Sequence, residues 1–209
     1  MMHTNEAKKW QRRKEDRPGE ILDAALALFT EKGYTSARID DVALRAGVSK
    51  GTVYLYFESK EALFKAMVRK KVLPQMEKAE QLVAVHKGNS AELLEKIALQ
   101  WWFALQHTDL SGLPKVVVAE AGNFPDIASF FVENVVIRVR SLFAKIIQQG
   151  MDMGEFRKVS PTEAARVFTS AIVFAAIWKH SLAPFDNMPF ESEEYLQIHL
   201  ENFIRGLQA

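Results

Sequence analysis

Residues 33–63 read GYTSARIDDVALRAGVSKGTVYLYFESKEAL, and no other stretch constrains the chain so tightly. Ile39, Val42 and Ala43 fall at i, i+3 and i+4, which predicts a short helix over about 39–46 with one buried stripe. Asp40 and Asp41 occupy its first turn, where the helix dipole favours negative charge. Gly47 supplies a stop that accepts positive φ. Ser49 is suited to cap the next helix by accepting a free backbone N–H. That helix, over about 50–57, turns Val53 and Phe57 inward and leaves Lys50, Thr52, Tyr54 and Tyr56 facing out. Gly51 costs a helix about 1 kcal/mol against alanine, which suggests that something must come close there. Ser59 caps a further helix, and Lys60 stands among the free N–H groups at its start, an arrangement suited to a phosphate. Helix, tight turn, then a helix with donors on one face is a shape that enters a DNA major groove. An ordinary helical hairpin is the competing reading, and it leaves the agreement of these features unexplained.

The run resembles the DNA-binding domain of the TetR/AcrR family of bacterial transcriptional regulators. The matching residues are Gly33-Tyr34, Asp41-Val42-Ala43, Ala46-Gly47-Val48-Ser49, Thr52-Val53-Tyr54, Tyr56-Phe57 and Lys60-Glu61-Ala62-Leu63. Family members often carry Thr or Ser where this chain has Arg38. Arginine cannot cap, so it either leaves the helix start looser or reaches a phosphate or the minor groove. The expected contacts to double-stranded DNA are Arg38, Ser49, Lys50, Gly51, Thr52, Tyr54, Tyr56 and Lys60, with Tyr54 open to a half-core role.

Net charge is only +1 over 209 residues, so the whole chain is not a basic nucleic-acid binder and its positive charge must act locally. Lys8, Lys9, Arg12, Arg13, Lys14 and Arg17 cluster ahead of the first predicted helix, diluted by Glu6, Glu15 and Asp16. They make either a solvated tail or an arm that attracts phosphates. The chain has no cysteine, which excludes disulfides, thiol chemistry and Cys-based zinc sites. His3, His86, His107, His180 and His199 show no metal-ligand spacing, and no phosphate loop or nucleophile elbow is present. The expectation is therefore no enzyme, no cofactor and no metal. The first twenty residues lack the apolar core of a signal peptide. The apolar stretch from Ala171 to Trp178 falls far short of the roughly 18 residues that span a bilayer. A cytoplasmic protein without a membrane partner is expected.

The periodicity predicts an all-α chain of about nine helices. It divides into a flexible basic arm (1–16), a helix-turn-helix DNA-binding domain (17–65) and a helical effector-binding and dimerisation domain (66–209). One helix is expected from Lys60 to about His86, kinked at Pro74 and joining the two domains. Ser90 is expected to cap a helix to about Gln106. Others follow over about 113–120, from Asn123-Phe124-Pro125 to about Gly150, and over the last residues, about 191–207. Ser160-Pro161-Thr162-Glu163 reads as a capping box with proline at the first helical position, opening a helix to about Ser181.

That penultimate helix is apolar on two faces. Ala165, Phe168, Ile172 and Ala175 form one stripe, and Val167, Ala171, Phe174 and Trp178 another. In the last helix Leu196, Leu200, Phe203 and Leu207 recur on one side. Two such helices from each of two copies make a four-helix interface, and the resemblance implies a homodimer formed through the last two helices. Phe168, Ile172, Ala175, Leu196, Leu200, Phe203 and Leu207 are expected there, against the alternative that both stripes serve the chain's own core. The region between is rich in aromatics, which either fill the core or line a ligand cavity. The resemblance implies a small apolar or amphipathic effector, with Trp101, Trp102, Glu120, Phe124, Phe131, Phe174 and Trp178 expected around it. Trp101 and Trp102 lie about 100° apart and cannot face one point. Glu120, in an apolar context, needs a partner, either Lys115 or another core donor, or the ligand. The functional expectation is a repressor released from a palindromic operator. The alternatives are an activator, or a regulator whose second domain answers to a protein partner.

Overall fold

The computed structural model describes residues 3–188, 190 and 192–208, with side chains from residue 16 onward. It divides into two compact units. The first, to Lys70, contains α1 (His3–Ser36), α2 (Ile39–Arg45), α3 (Lys50–Tyr56) and nearly all of α4 (Lys60–Lys71). The second contains α5 (Leu73–Val85), α6 (Ser90–His107), α7 (Leu113–Glu120), α8 (Pro125–Phe131), α9 (Ile137–Asp152), α10 (Pro161–Ser181) and α11 (Ser192–Leu207). Among the described residues the only extended pairing is an isolated bridge between Phe156 and Gln208.

Two expected continuous helices are interrupted, so eleven helical segments stand among the described residues. The helix from Lys60 stops at Lys71, and Pro74 lies in the first turn of α5 rather than within a longer rod. Proline lacks an N–H, and only a first turn leaves that donor unneeded. The second break is a π turn over Val132–Val136 between α8 and α9. There the Asn134 side-chain amide donates to the Phe130 carbonyl at 2.8 Å.

In the first unit α1 buries Ile21, Ala25, Leu28 and Phe29, which share one helical face. Its backbone is already helical from His3, within the stretch expected to form a flexible arm. The side chains of Lys8, Lys9, Arg12, Arg13 and Lys14, the expected basic arm, lie outside those described. Helical geometry breaks at Gly33, whose φ of 80° only glycine adopts readily. The break turns Tyr34 inward against Phe29 and Phe64, with ring centroids 5.3 and 5.8 Å away.

The second unit is organised around α10. Ala165, Phe168, Ile172, Ala175 and Ala176 are essentially inaccessible. Phe168 packs on Phe143 of α9 at 4.8 Å and on Phe203 of α11 at 4.7 Å. Full burial of such side chains contributes about 1.5–3 kcal/mol each. Two polar contacts hold α11 along α10: Tyr195 Oη donates to the Ala171 carbonyl at 3.1 Å, and His199 Nε2 lies 2.9 Å from the Phe168 carbonyl. Asn89, not Ser90, caps α6, its Oδ1 accepting from Glu92 N at 3.0 Å. Ser90 is instead buried, and its backbone N–H donates to Glu155 at 2.7 Å. Ser160 caps α10 as expected, though at a long 3.5 Å. Past α9, Phe156 folds back onto Gly150, and Arg157 N–H donates to the Leu207 carbonyl at 2.8 Å, tying the end of α11 to the loop.

Candidate nucleic-acid interface

The turn between α2 and α3 has the expected chemistry. Gly47 takes φ 66°, and Val48 N–H closes back on the Ala43 carbonyl at 2.9 Å. Ser49 Oγ accepts from Thr52 N at 3.1 Å and lies 2.8 Å from Thr52 Oγ1. Both hydroxyls therefore begin by stabilising the start of α3. Val53 is fully buried and Phe57 nearly so, which rotates Lys50, Gly51 and Tyr54 to the surface and leaves Thr52 and Tyr56 half-buried. A Cβ built on Gly51 meets only Ser49 Oγ, at 3.8 Å. The chain's own packing thus has room for alanine there, and the glycine is not explained by the fold.

Charge around the motif is already paired. Lys50 Nζ sits 3.0 Å from Asp40, Lys32 3.0 Å from Asp41, and Arg45 2.7 Å from Glu31. The Arg45 guanidinium holds the Glu31 carboxyl below the usual carboxylate range, chiefly by hydrogen bonding, and Lys32 does the same to Asp41. These are exposed pairs, worth little to stability and readily exchanged for a phosphate. Arg38 occupies the cap position of α2 with extended backbone and no capping side chain. Its carbonyl accepts from Asp41 and Val42 N–H, both at 3.1 Å, so the helix start is formed without a hydroxyl. Leu44 and Leu55, which sequence reasoning passed over, are 81% and 76% exposed. Their signal was present: each is a large apolar residue off the buried stripe.

Lys60 is the main correction in this unit. Its ammonium reaches inward to the carbonyls of Tyr34, Thr35 and Ala37 at 2.9, 3.2 and 3.2 Å, and lies 4.4 Å over the Tyr34 ring. The lysine thereby draws together the carbonyls that follow the break at Gly33. It is a latch on the end of α1 rather than an outward phosphate anchor.

The expected dimer set is also corrected. Phe168, Ile172, Ala175, Leu196, Leu200 and Leu207 are at most 5% exposed within the single chain, and Phe203 packs on Phe168. They form this chain's own core. The second stripe of α10 is the outward one: Val167 is 65% and Phe174 57% exposed, and Ile198 of α11 is exposed as well. Periodicity identified both stripes, but could not say which faced the core.

The expected effector residues do not converge. Trp101 packs on Phe143 at 5.7 Å, while Trp102 stacks on Tyr195 at 6.0 Å. Phe131 is buried and Phe124 half-buried. Phe174 pairs with Trp178 at 6.1 Å on the outer face of α10. Glu120 is half-exposed at the end of α7 and accepts from Asn123 at 3.3 Å. Lys115, its expected partner, donates to the His180 carbonyl.

These features define a helix-turn-helix unit followed by a helical second domain. The family model for bacterial regulatory proteins of the tetR family matches residues 21–67, and that for the C-terminal domain of AefR-like transcriptional repressors matches residues 92–199. With more than half of its length matched by the second model, the chain belongs to the TetR family, in its AefR-like branch. The fatty acid metabolism regulator protein of Bacillus subtilis is 34% identical over 80 residues. That match spans 38% of this chain and 39% of the relative's length. The structure of FadR from Bacillus subtilis in complex with stearoyl-CoA superposes with TM-score 0.69 at 19% identity, covering 90% of this chain and 98% of that one. A SmeT–triclosan complex superposes with TM-score 0.77 at 18% identity, covering 92% of each. At such identities the likeness shows the shared fold. Among the described residues, no helix is long and apolar enough to cross a membrane.

Proposed function

We propose that the chain is a homodimeric repressor that binds a palindromic operator and is released by a small apolar or amphipathic effector. The observation that carries the dimer is the outward pair Val167 and Phe174 on α10, with Ile198 exposed on α11. A second copy bringing the same stripe builds a closed twofold four-helix interface. Each copy contributes one α3, and the operator half-sites then lie about 34–36 Å apart, one duplex turn. Arg38, Lys50 and Tyr56 contact phosphate or groove edge, Thr52 and Tyr54 read bases, and Gly51 lets the backbone approach. The AefR-like repressor domain supports the sign of regulation.

The effector class rests on the aromatic character of α6 to α9 and on solved relatives that hold stearoyl-CoA and triclosan. Release requires only that the effector bind the form unable to hold DNA more tightly than the DNA-holding form. Selection of bound sequences from random DNA is the first test. An enriched palindrome whose preference shifts in Thr52→Ala supports the reading. Enrichment of single half-sites only would overturn it. A thermal-shift series with acyl-CoA thioesters and halogenated phenols then tests the effector. A true one quenches tryptophan fluorescence, raises the melting temperature and releases operator over the same concentration range. Glu120→Gln weakens that ligand without touching operator affinity if the carboxylate anchors it, and lowers only the melting temperature if it does not.

A further inference from the structure

An open groove of about 750 Å³ runs between α6 and α11. Glu95, Leu99, Trp102, Phe103 and His107 line it from α6, at the i, i+4, i+7, i+8 and i+12 spacing of one helix face. The other wall runs along α11 from Ser192 through Leu196 and Leu200 to Arg205, with Gln208 just beyond the helix. At 1.5 Å per residue both walls run for about 18–22 Å. The floor is buried, with Trp102, Leu196 and Leu200 at 6, 3 and 5% exposure. The upper wall is not: Leu99 is 47% and Phe103 63% exposed, with the Phe103 ring 4.4 Å from that of His107. Large apolar side chains gathered along a groove mark an interaction site rather than scattered surface residues.

The rim decides what fits. Glu95, Glu193 and Glu201 face it, against the single guanidinium of Arg205, which is itself 3.8 Å from Glu201. A groove with this excess of carboxylates repels nucleic acid. It also disfavours a second copy of this chain, because a twofold contact would set carboxylate against carboxylate. Ile198, on the stripe assigned above to the second copy, does not line it. Two helices flanking an apolar trough of this length present the ridges and grooves that a third helix packs into. We propose that the α6–α11 groove docks an amphipathic helix of a partner protein, its apolar stripe over Leu99 and Phe103 and its basic flanks against Glu95, Glu193 and Glu201. Regulation by a protein partner is thereby added to the effector regulation proposed above.

The test uses full-length protein and a fluorescein-labelled helical peptide of about 18 residues, with leucines at i, i+3, i+4 and i+7 and flanking lysines. The same peptide with glutamate flanks is its control. Anisotropy is expected to show the lysine form binding at least about tenfold more tightly. Phe103→Glu should lower that affinity about tenfold, and the pair Glu193→Lys and Glu201→Lys should reverse the charge preference. Glu133→Lys, outside the groove, should leave it unchanged. Phe103→Ser, with unchanged circular dichroism and operator affinity, guards against a folding defect. Equal binding of the two peptides, or binding indifferent to both Phe103 variants, would overturn the proposal. So would a Phe103→Glu protein that sediments as a monomer, which would assign the groove to a second copy. Full competition by dodecyltrimethylammonium below its micelle concentration would overturn it too, in favour of a small cationic ligand.

Discussion

Two lysines ten residues apart illustrate how residue type underdetermines role. Lys50 and Lys60 both start helices beside exposed N–H groups, yet one makes an exchangeable surface pair and the other satisfies three carbonyls. Lys60→Ala is expected to cost about 2 kcal/mol of stability, the scale of a charged hydrogen-bond set lost from a part-buried site. It should leave the salt dependence of operator binding unchanged. Lys50→Ala should alter stability by no more than a few tenths of a kcal/mol, while weakening operator binding and lowering its salt slope by roughly one. Thermal melts and binding titrations in a salt series separate the two. Gly150 shows the same dependence on surroundings. A Cβ there would lie 2.2 Å from the ring of Phe156, which is 3% exposed. Gly150→Ala should therefore destabilise by about 1–3 kcal/mol, visible as a lower denaturant midpoint at constant slope. The preceding helix gave no hint of this, because the contact is made by a residue in the following loop.

At the scale of elements, capping chemistry and apolar spacing were legible wherever the partner was local. The Ser49 cap, the Gly47 turn and the bounds of α7 followed directly from neighbouring residues. The π turn and the break at Val72 did not, because both are accommodated by packing that spacing alone does not encode. Helix α10 also carries a pH response. His180 Nε2 lies 2.6 Å from Ser111 Oγ, whose own proton goes to the Thr108 carbonyl at 2.9 Å, so the neutral ring donates. Burial, then Lys179 and Lys115, push His180 below its ordinary value of 6.5, with Asp109 opposing. Burial also lowers His199, against the Phe168 carbonyl. Above pH 6.5 both rings are neutral in the folded and unfolded chain, and neither contributes a pH dependence. Below it the unfolded chain takes up protons first, so stability falls as pH drops. Melting temperature should hold steady from pH 8 to 7 and decline from about 6.5 downward. His180→Asn should flatten that decline, and an unchanged slope would remove His180 from the account.

For the whole molecule the decisive question under the proposed dimer is which apolar surface meets the second copy. Phe174→Arg is expected to yield a folded monomer in sedimentation equilibrium, with operator affinity lost through the broken pairing of recognition helices. Phe168→Ala, in contrast, should cost about 3–5 kcal/mol of stability by opening a cavity in the protomer. A dimer surviving Phe174→Arg would refute the outward-stripe assignment.

The amino-acid sequence by itself determined the all-helical class, the helix-turn-helix, the buried face of α3 and the existence of two apolar stripes on α10. All of these follow from local periodicity and turn chemistry, which act over a few residues. Only the tertiary structure decided that Lys60 points inward and that Phe168 rather than Phe174 is core. It also separated the expected effector residues Trp101, Trp102 and Phe174 onto different neighbours, and placed α6 beside α11 to form a groove. Those outcomes depend on contacts between residues distant in the chain. A helix apolar on two sides carries no mark of which side its own fold will cover.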